Sequence, residues 1–165
     1  MILRPSSAVR NFVFGVEDGL VSTVGLLSGI AITGISRNYV IMTGAILIFV
    51  EAFSMAVGSV LSEYSVEEYE KRKETSIKGS TKSGLIMFFS YFISGLIPLS
   101  PYVFLQNNNA LTISIVFSIT ALGFLGIFSG KISGTSVFSN MLKMVVLGGV
   151  AIIVGVVVGN VLNVP

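Results

Sequence analysis

Cysteine and histidine are both absent from this chain of 165 residues. Their absence excludes disulfides, thiolate and imidazole metal sites, and histidine proton relays. It also removes the side chains from which most nucleophile–base pairs are built, so the sequence does not favour an enzyme. Any metal ion that this protein binds has to be held by oxygen atoms and methionine sulfur.

Charged residues are scarce as well. Only 11% of the residues are charged and 53% are hydrophobic, with a mean hydropathy of +0.91. A soluble domain carries about 25% charged residues. Because so few charges do not cover a surface in water, we expect an integral membrane protein.

Five apolar runs have the length of a membrane-spanning helix, about 20 residues. They cover residues 12–35, 40–61, 84–105, 110–130 and 144–162. A polar linker separates the second run from the third, and a tight Asn107–Asn109 turn separates the third from the fourth. A charged loop from Lys131 to Lys143 separates the fourth from the fifth. The polar linker, 62–83, has helix-forming composition to about Thr75 and a Gly79-Ser80-Thr81 break after it. The runs lack the alternation that a β-barrel needs. We therefore predict an all-α integral membrane protein with five transmembrane helices in one domain, 1–165.

The distribution of lysine and arginine predicts the orientation of these helices in the membrane. One side of the predicted bundle carries only Arg37, and the other carries nine basic residues, namely Arg4, Arg10, Lys71, Arg72, Lys73, Lys78, Lys82, Lys131 and Lys143. This asymmetry predicts a cytoplasmic N-terminus and an external C-terminus. It also explains the net charge of +2 without a nucleic-acid partner.

Three carboxylates lie inside predicted spans that contain no lysine or arginine, and one of them, Glu17, is about 100° around the helix from Asp18 and faces a neighbouring helix or the headgroups. Asp18 is in the first span and Glu51 in the second, and an unpaired acid there costs at least about 2.5 kcal/mol. With a rise of about 1.5 Å per residue, Asp18 and Met55 lie about 9 Å from the cytoplasmic face, and Ser22 and Glu51 about 15 Å. If the two spans pack antiparallel, these four residues form a ladder of two rungs. Packing roles are the alternative for Met55 and Ser22.

The side-chain types in this ladder indicate which metal ions it could bind. Carboxylates suit hard dications, and an added thioether biases a site towards softer transition metals. A bound dication also displaces protons from buried carboxylic acids, which couples metal movement to proton movement without histidine. The residues thus favour a divalent-metal transporter. A passive divalent-cation channel and a non-transporting membrane scaffold, whose carboxylates bind a partner helix, remain open as alternatives.

Two further patterns concern the linker and the glycines. The linker acids Glu63, Glu67, Glu70 and Glu74 are spaced as one stripe of a helix. They form either a solvated extension of the second span, which we favour, or a site that attracts dications.

Spacings of four residues between glycines allow close helix approach, and they occur at Gly15, Gly19, Gly25 and Gly29 and at Gly155 and Gly159.

Several segments together resemble the vacuolar iron transporter family. They are Phe14-Gly15-Val16-Glu17-Asp18-Gly19-Leu20, Glu51-Ala52-Phe53-Ser54-Met55-Ala56-Val57-Gly58, Ser94-Gly95-Leu96-Ile97-Pro98-Leu99-Ser100-Pro101-Tyr102, and Gly148 with Gly155 and Gly159. The likeness covers nearly the whole chain. It implies a five-helix homodimer that exchanges Fe²⁺ for protons along a path lined by Asp18 and Met55, with no permanently bound cofactor. We expect Mn²⁺ as a further substrate, metal, protons and lipid as the partners, and, from the compact size, a prokaryotic cytoplasmic membrane.

The chain departs from the family pattern at two places. Many members carry a glutamate eight residues before the second-helix methionine, where this chain has Leu47, and Glu51 stands only four residues before Met55. Members with a full cytoplasmic metal-binding domain insert a long unit rich in glutamate and methionine between spans two and three. The linker 62–83 is short and contains no methionine, so we expect a short form that lacks this domain.

Overall fold

The computed structural model describes residues 5–105 and 109–162, which form five α-helices and no strand. Their bounds are α1 Pro5–Ile32, α2 Arg37–Lys71, α3 Thr81–Phe104, α4 Ala110–Ser133 and α5 Val137–Leu162. All five are long and apolar enough to cross a membrane. The predicted all-α, five-helix class is thereby confirmed. Arg4 and the first two residues of the predicted asparagine turn, Asn107 and Asn108, lie outside the described residues.

The helix ends differ from the predicted ones. The charged loop predicted from Lys131 to Lys143 is wrong, because α4 continues to Ser133 and α5 begins at Val137. Gly134 makes this turn in the left-handed conformation, with φ of 63°. Likewise α2 ends at Lys71 and not near Thr75. An apolar run stops at the first charge, whereas a helix stops where its last carbonyl groups are capped.

Helix α1 is the centre of the bundle. It contacts each of the other four helices, most extensively α3 and α5, while α2 packs on α3 and α4 packs on α5. The outer faces carry large apolar side chains, such as Phe53 with 66% and Phe124 with 68% of their surface exposed. Apolar outer faces of this kind are typical of helices that contact lipid.

Glycines bring α1 and α5 into backbone contact. A Cβ atom placed on Gly29 would lie 2.6 Å from the carbonyl oxygen of Gly155. Cβ atoms on Gly155 and Gly159 would overlap the carbonyl oxygens of Gly25 and Gly29. The predicted close approach of these small-residue pairs is confirmed.

A second glycine contact joins α1 to α3. A Cβ atom on Gly15 would lie 2.8 Å from the Cβ atom of Ser90, and one on Gly19 would lie 2.6 Å from the carbonyl oxygen of Tyr91. Since the α1 side of this contact has no side chains, polar residues of α3 reach the surface of α1. This contact positions the candidate site.

At each end of the bundle an arginine side chain links two helices. At one end, Arg10 of α1 forms an ion pair with Glu63 of α2, with an N–O distance of 3.0 Å. The α4–α5 turn lies at this end too, because the rings of Phe12 and Phe128 meet at 5.5 Å. We call it the basic end. At the opposite end, the guanidinium group of Arg37 donates hydrogen bonds to two carbonyl groups in the last turn of α3, at 2.5 and 2.6 Å.

Candidate functional site

A hydrogen-bonded pair of hydroxyl groups links α1 to α3 in the middle of the bundle. The Oγ atom of Ser22 lies 2.5 Å from the hydroxyl oxygen of Tyr91, which is fully buried. Ser22 also donates a hydrogen bond of 2.6 Å to the backbone carbonyl of Asp18. A hydroxyl group has a single hydrogen, so Ser22 accepts from Tyr91, and the orientation of both groups is fixed.

Two carboxylates stand beside this pair. Asp18 on α1 and Glu51 on α2 are half-buried, and they are near enough to interact electrostatically with each other and with Tyr91. We call Asp18, Ser22, Glu51 and Tyr91 the polar cluster. Two ionised carboxylates in a medium of low dielectric constant repel strongly, so a proton or a cation between them stabilises the pair.

Met55 lies on the same side of α2 as Glu51, one helical turn nearer the basic end, and it is half-buried. Leu47, the position where many family members have a glutamate, lies one turn from Glu51 in the other direction and is half-buried as well. Glu51 therefore occupies the middle of a line of three side chains. The two rungs of the ladder stay a prediction, and the hydrogen-bond partner of Ser22 comes from α3.

The carboxylates of one chain do not form a complete metal site. Within residues 5–105 and 109–162, no three side chains of the types His, Cys, Asp and Glu converge. The donors that one chain offers are two carboxylates, the hydroxyl groups of Ser22 and Tyr91, and the thioether of Met55 if it turns towards them. A metal ion bound here would need its other ligands from water, backbone carbonyl groups or a second copy of the chain.

An open groove leads from the polar cluster along the outside of α1. It has a volume of about 690 Å³ and runs between α1 and α5, from Asp18 and Ser22 past Gly25 and Gly29 to Leu162 near the opposite end. Of the residues that the structure describes, Asp18 is the one ionisable residue that lines the groove. The groove follows from the glycine contact, because small residues leave a furrow between the two helices.

The linker acids do not share one exposed helical stripe. Glu63 accepts a hydrogen bond of 2.9 Å from Ser7 and pairs with Arg10, and Glu67 is buried and pairs with Lys71. The remaining two predicted acids are exposed, Glu70 on the last turn of α2 and Glu74 beyond the end of the helix. The predicted single stripe is wrong, because α2 ends before Glu74.

Tyr91 is the member of the cluster that sequence reasoning missed. The search for ionisable and sulfur-bearing residues passed over a neutral hydroxyl group. A signal was present, since Tyr91 lies in an apolar run next to Ser90 and three residues before Ser94. A buried tyrosine hydroxyl group in such a run usually has a hydrogen-bond partner.

The sequence is similar to those of several vacuolar iron transporters and vacuolar iron transporter homologs. A profile of the VIT family matches residues 9–80 and 68–160. The chain is 28% identical over 173 residues to vacuolar iron transporter homolog 2 of Arabidopsis thaliana, an alignment that covers 92% of this chain and 87% of that protein. It is 26% identical over 157 residues to homolog 3 of the same plant, covering 87% and 77%. It is 23% identical over 203 residues to vacuolar iron transporter 1 of Oryza sativa subsp. japonica, covering 87% and 81%.

Proposed function

This chain belongs to the VIT family, and on that premise we propose that it carries Fe²⁺ out of the cytoplasm in exchange for protons. It is an integral membrane protein with five apolar helices, and the named relatives are iron transporters and not enzymes. The observation that supports the proposal most strongly is the pair Asp18 and Glu51. The two acids lie within electrostatic reach of each other, in helices whose apolar segments contain no basic residue.

The donors of the cluster suit a divalent first-row metal. Carboxylate and hydroxyl oxygen atoms suit hard dications such as Mn²⁺, and the thioether of Met55 shifts the preference towards a softer transition metal such as Fe²⁺. Carboxylic acids have to lose their protons before they bind a metal. Binding of Fe²⁺ at Asp18 and Glu51 therefore releases protons, and return of the protons releases the metal. Mn²⁺ is proposed as a second substrate on the same ground.

The orientation and the membrane are part of the proposal. Positively charged residues concentrate at cytoplasmic ends of membrane helices, and Arg10, Lys71 and Lys131 all lie at or beside the basic end. We therefore assign the basic end to the cytoplasm and the end with Arg37 to the outside. We further propose that this membrane is a prokaryotic cytoplasmic membrane.

A homodimer supplies what one chain lacks. The groove between α1 and α5 is open on an outer face, and Asp18 lies in it. A second copy that covers this face closes the groove and brings a second set of donors towards the first. The incomplete donor set of one chain supports this arrangement.

The experiment is uptake of Fe²⁺ into proteoliposomes under a pH gradient, followed with an iron-quenched dye inside and a pH indicator. Asp18→Asn keeps the shape of the side chain and removes its charge. We expect the wild type to take up Fe²⁺ with a counterflow of protons, and Asp18→Asn and Glu51→Gln to lose both. Glu68→Gln, at a half-buried acid outside the cluster, is the matched control and keeps both.

Each outcome separates the proposed function from its alternatives. Equal uptake by the wild type and Asp18→Asn rejects the polar cluster as the path. Uptake that continues without proton counterflow indicates a passive channel. A protein that takes up no metal, and whose thermal stability does not respond to Fe²⁺, Mn²⁺ or Zn²⁺, is the membrane scaffold.

A further inference from the structure

Among the residues that the structure describes, five buried polar atoms near the basic end have no hydrogen-bond partner: Oγ1 of Thr75, between α2 and α3, and four atoms of α1, α2 and the start of α3. The four are Nδ2 of Asn11 and the Oγ atoms of Ser59, Ser80 and Ser83, in side chains whose exposed fractions are 3%, 8%, 0% and 0%. Buried polar groups are nearly always paired, and each unpaired one costs about 1–3 kcal/mol. Four in one region indicate an occupant that hydrogen-bonds to them.

The helix contacts place Asn11 and Ser83 at the same level. Helices α1 and α3 run in the same direction, and a Cβ atom on Gly15 would lie 3.1 Å from the carbonyl oxygen of Met87. Asn11 precedes Gly15 by one turn, and Ser83 precedes Met87 by one turn. The two side chains therefore occupy the turn next to this contact, on the side of the basic end.

Ser59 joins them from α2. A Cβ atom on Gly84 would lie 2.9 Å from the carbonyl oxygen of Ala56 and would also meet the side chain of Val60. Ser83 and Ser59 are the chain neighbours of Gly84 and Val60, and both are buried. Ser80 lies one turn from Gly84 towards the basic end. Helices α1, α2 and α3, the last with its N-cap residue Ser80, thus contribute the four unpaired groups to one region.

At its outer side this region meets an ion pair. Glu63 of α2 accepts a hydrogen bond of 2.9 Å from Ser7 of α1 and pairs with Arg10 at 3.0 Å. The side chain of Glu63 is 16% exposed and that of Arg10 is 57% exposed. Glu63, one helical turn from Ser59, therefore lies on the side of the region that is nearer to water at the basic end.

At its inner side the region continues to the polar cluster through α3. Ser90 and Ser94 are buried at the α1–α3 contact. Ser94 has one hydroxyl hydrogen, and two backbone carbonyl oxygens are within its reach, that of Tyr91 at 3.1 Å and that of Gly15 at 3.4 Å. The hydroxyl group of Tyr91 then reaches Ser22. Polar atoms thus occur at every turn from Glu63 to the polar cluster.

We propose that ordered water fills the space between Asn11, Ser59, Ser80 and Ser83 and forms a proton path from the basic end to the polar cluster, separate from the groove between α1 and α5. This inference rests on the proposed function, the exchange of Fe²⁺ for protons, because it gives the protons a path that is separate from that of the metal. Hydroxyl groups both donate and accept hydrogen bonds, and the amide of Asn11 also does both. A buried water needs two to four polar partners, and this region offers them.

The chemistry of the region distinguishes protons from metal. Its inner part contains neutral hydroxyl and amide groups and no carboxylate, so it is a poor binding site for a dication. The ionisable groups that face the path stand at its two ends, and they are Arg10, Glu63, Glu67 and Lys71 outside and Glu17, Asp18, Glu51 and Tyr91 inside.

Because the chain lacks cysteine, a single Ser83→Cys variant tests for water directly. The probe is methanethiosulfonate ethylammonium, which reacts with the thiolate form, and a thiol in dry apolar surroundings stays protonated and inert. The matched control is Ser118→Cys on α4. Ser118 is also 0% exposed, but its hydroxyl group donates to the carbonyl of Ser114 at 2.8 Å.

The labelling rate is measured by mass spectrometry on protein in proteoliposomes. We expect Ser83→Cys to react at least about tenfold faster than Ser118→Cys, because water supports the thiolate. Equal, slow labelling of the two variants overturns the proposal. This measurement needs no transport, so failure of the proposed function leaves it readable.

A second variant tests the role of the water in transport. Ser83→Val replaces the hydroxyl group and fills the space beside it. We expect Ser83→Val to lower proton counterflow and pH-driven Fe²⁺ uptake together, while Ser83→Thr, which keeps a hydroxyl group, restores them. A Ser83→Val protein that is folded and keeps the full proton counterflow of the wild type rejects the path.

Discussion

The contact between α1 and α5 gives the sharpest test of the fold, through the variant Gly155→Ala. The added methyl group would overlap the carbonyl oxygen of Gly25 and lie 2.8 Å and 3.1 Å from its C and Cα atoms. All three are backbone atoms, so no side chain can rotate away to make space. Gly149, on the same helix, is the matched control, because a Cβ atom there meets nothing within 4 Å.

The difference between the two variants isolates the cost of the contact. Both changes gain the same helix propensity, about 0.5–1 kcal/mol in a helix interior. Overpacking costs about 1–3 kcal/mol. We therefore expect Gly149→Ala to be slightly more stable than the wild type and Gly155→Ala to be less stable than Gly149→Ala by about 1–3 kcal/mol.

Thermal unfolding in detergent, followed by circular dichroism, measures this difference. For a chain of this size, 1 kcal/mol corresponds to about 2–4 °C in Tm, so the two variants should differ by several degrees. The paired variant Gly25→Ala, whose methyl group would lie 3.3 Å from the carbonyl oxygen of Ala151, should fall between them. If Gly155→Ala and Gly149→Ala unfold at the same temperature, α1 and α5 are not in backbone contact.

Three smaller predictions use the same unfolding assay. Arg37→Ala removes two charge-assisted hydrogen bonds to the end of α3 and should cost about 1.5–3 kcal/mol; no loss of stability contradicts this cap. Glu63→Gln removes the charge that pairs with the exposed Arg10 but keeps an acceptor, so it should change stability by less than about 1 kcal/mol. In a double-mutant cycle, Ser22→Ala and Tyr91→Phe should be non-additive by about 0.5–1.5 kcal/mol; additive effects would contradict their hydrogen bond.

The number and type of the helices could be predicted from the sequence because they depend on a single quantity, the length of the apolar runs. Their ends could not, because they depend on capping. Lys131 is charged, yet it continues α4 within its last turn, where a basic side chain stabilises the carbonyl end of the helix. Arg72 ends α2 in the left-handed conformation, with φ of 51°, which no run of apolar residues marks.

The acids of the candidate site could be predicted because a carboxylate in an apolar span is costly wherever it points. Depth counting also placed Asp18 and Glu51 in neighbouring turns. The depth of a residue in the membrane does not determine which neighbouring helix it faces. In the structure, α1 packs more extensively on α3 than on α2. For this reason Tyr91 was missed and Ser22 was expected to face α2.

The glycine spacing of α1 explains in retrospect how the helix divides its faces. Gly25 and Gly29, which contact α5, lie seven and eleven residues after Asp18, so the acid shares their side of the helix. Gly15 and Gly19 contact α3. Ser22 lies seven residues after Gly15 and three after Gly19, so it shares their side of the helix. Asp18 therefore lines the groove beside α5, while Ser22 reaches Tyr91 on α3. One helix thus holds Asp18, which we propose to bind the metal, and the hydrogen-bonded hydroxyl group of Ser22 on adjacent faces, as the proposal of separate routes for metal and protons requires.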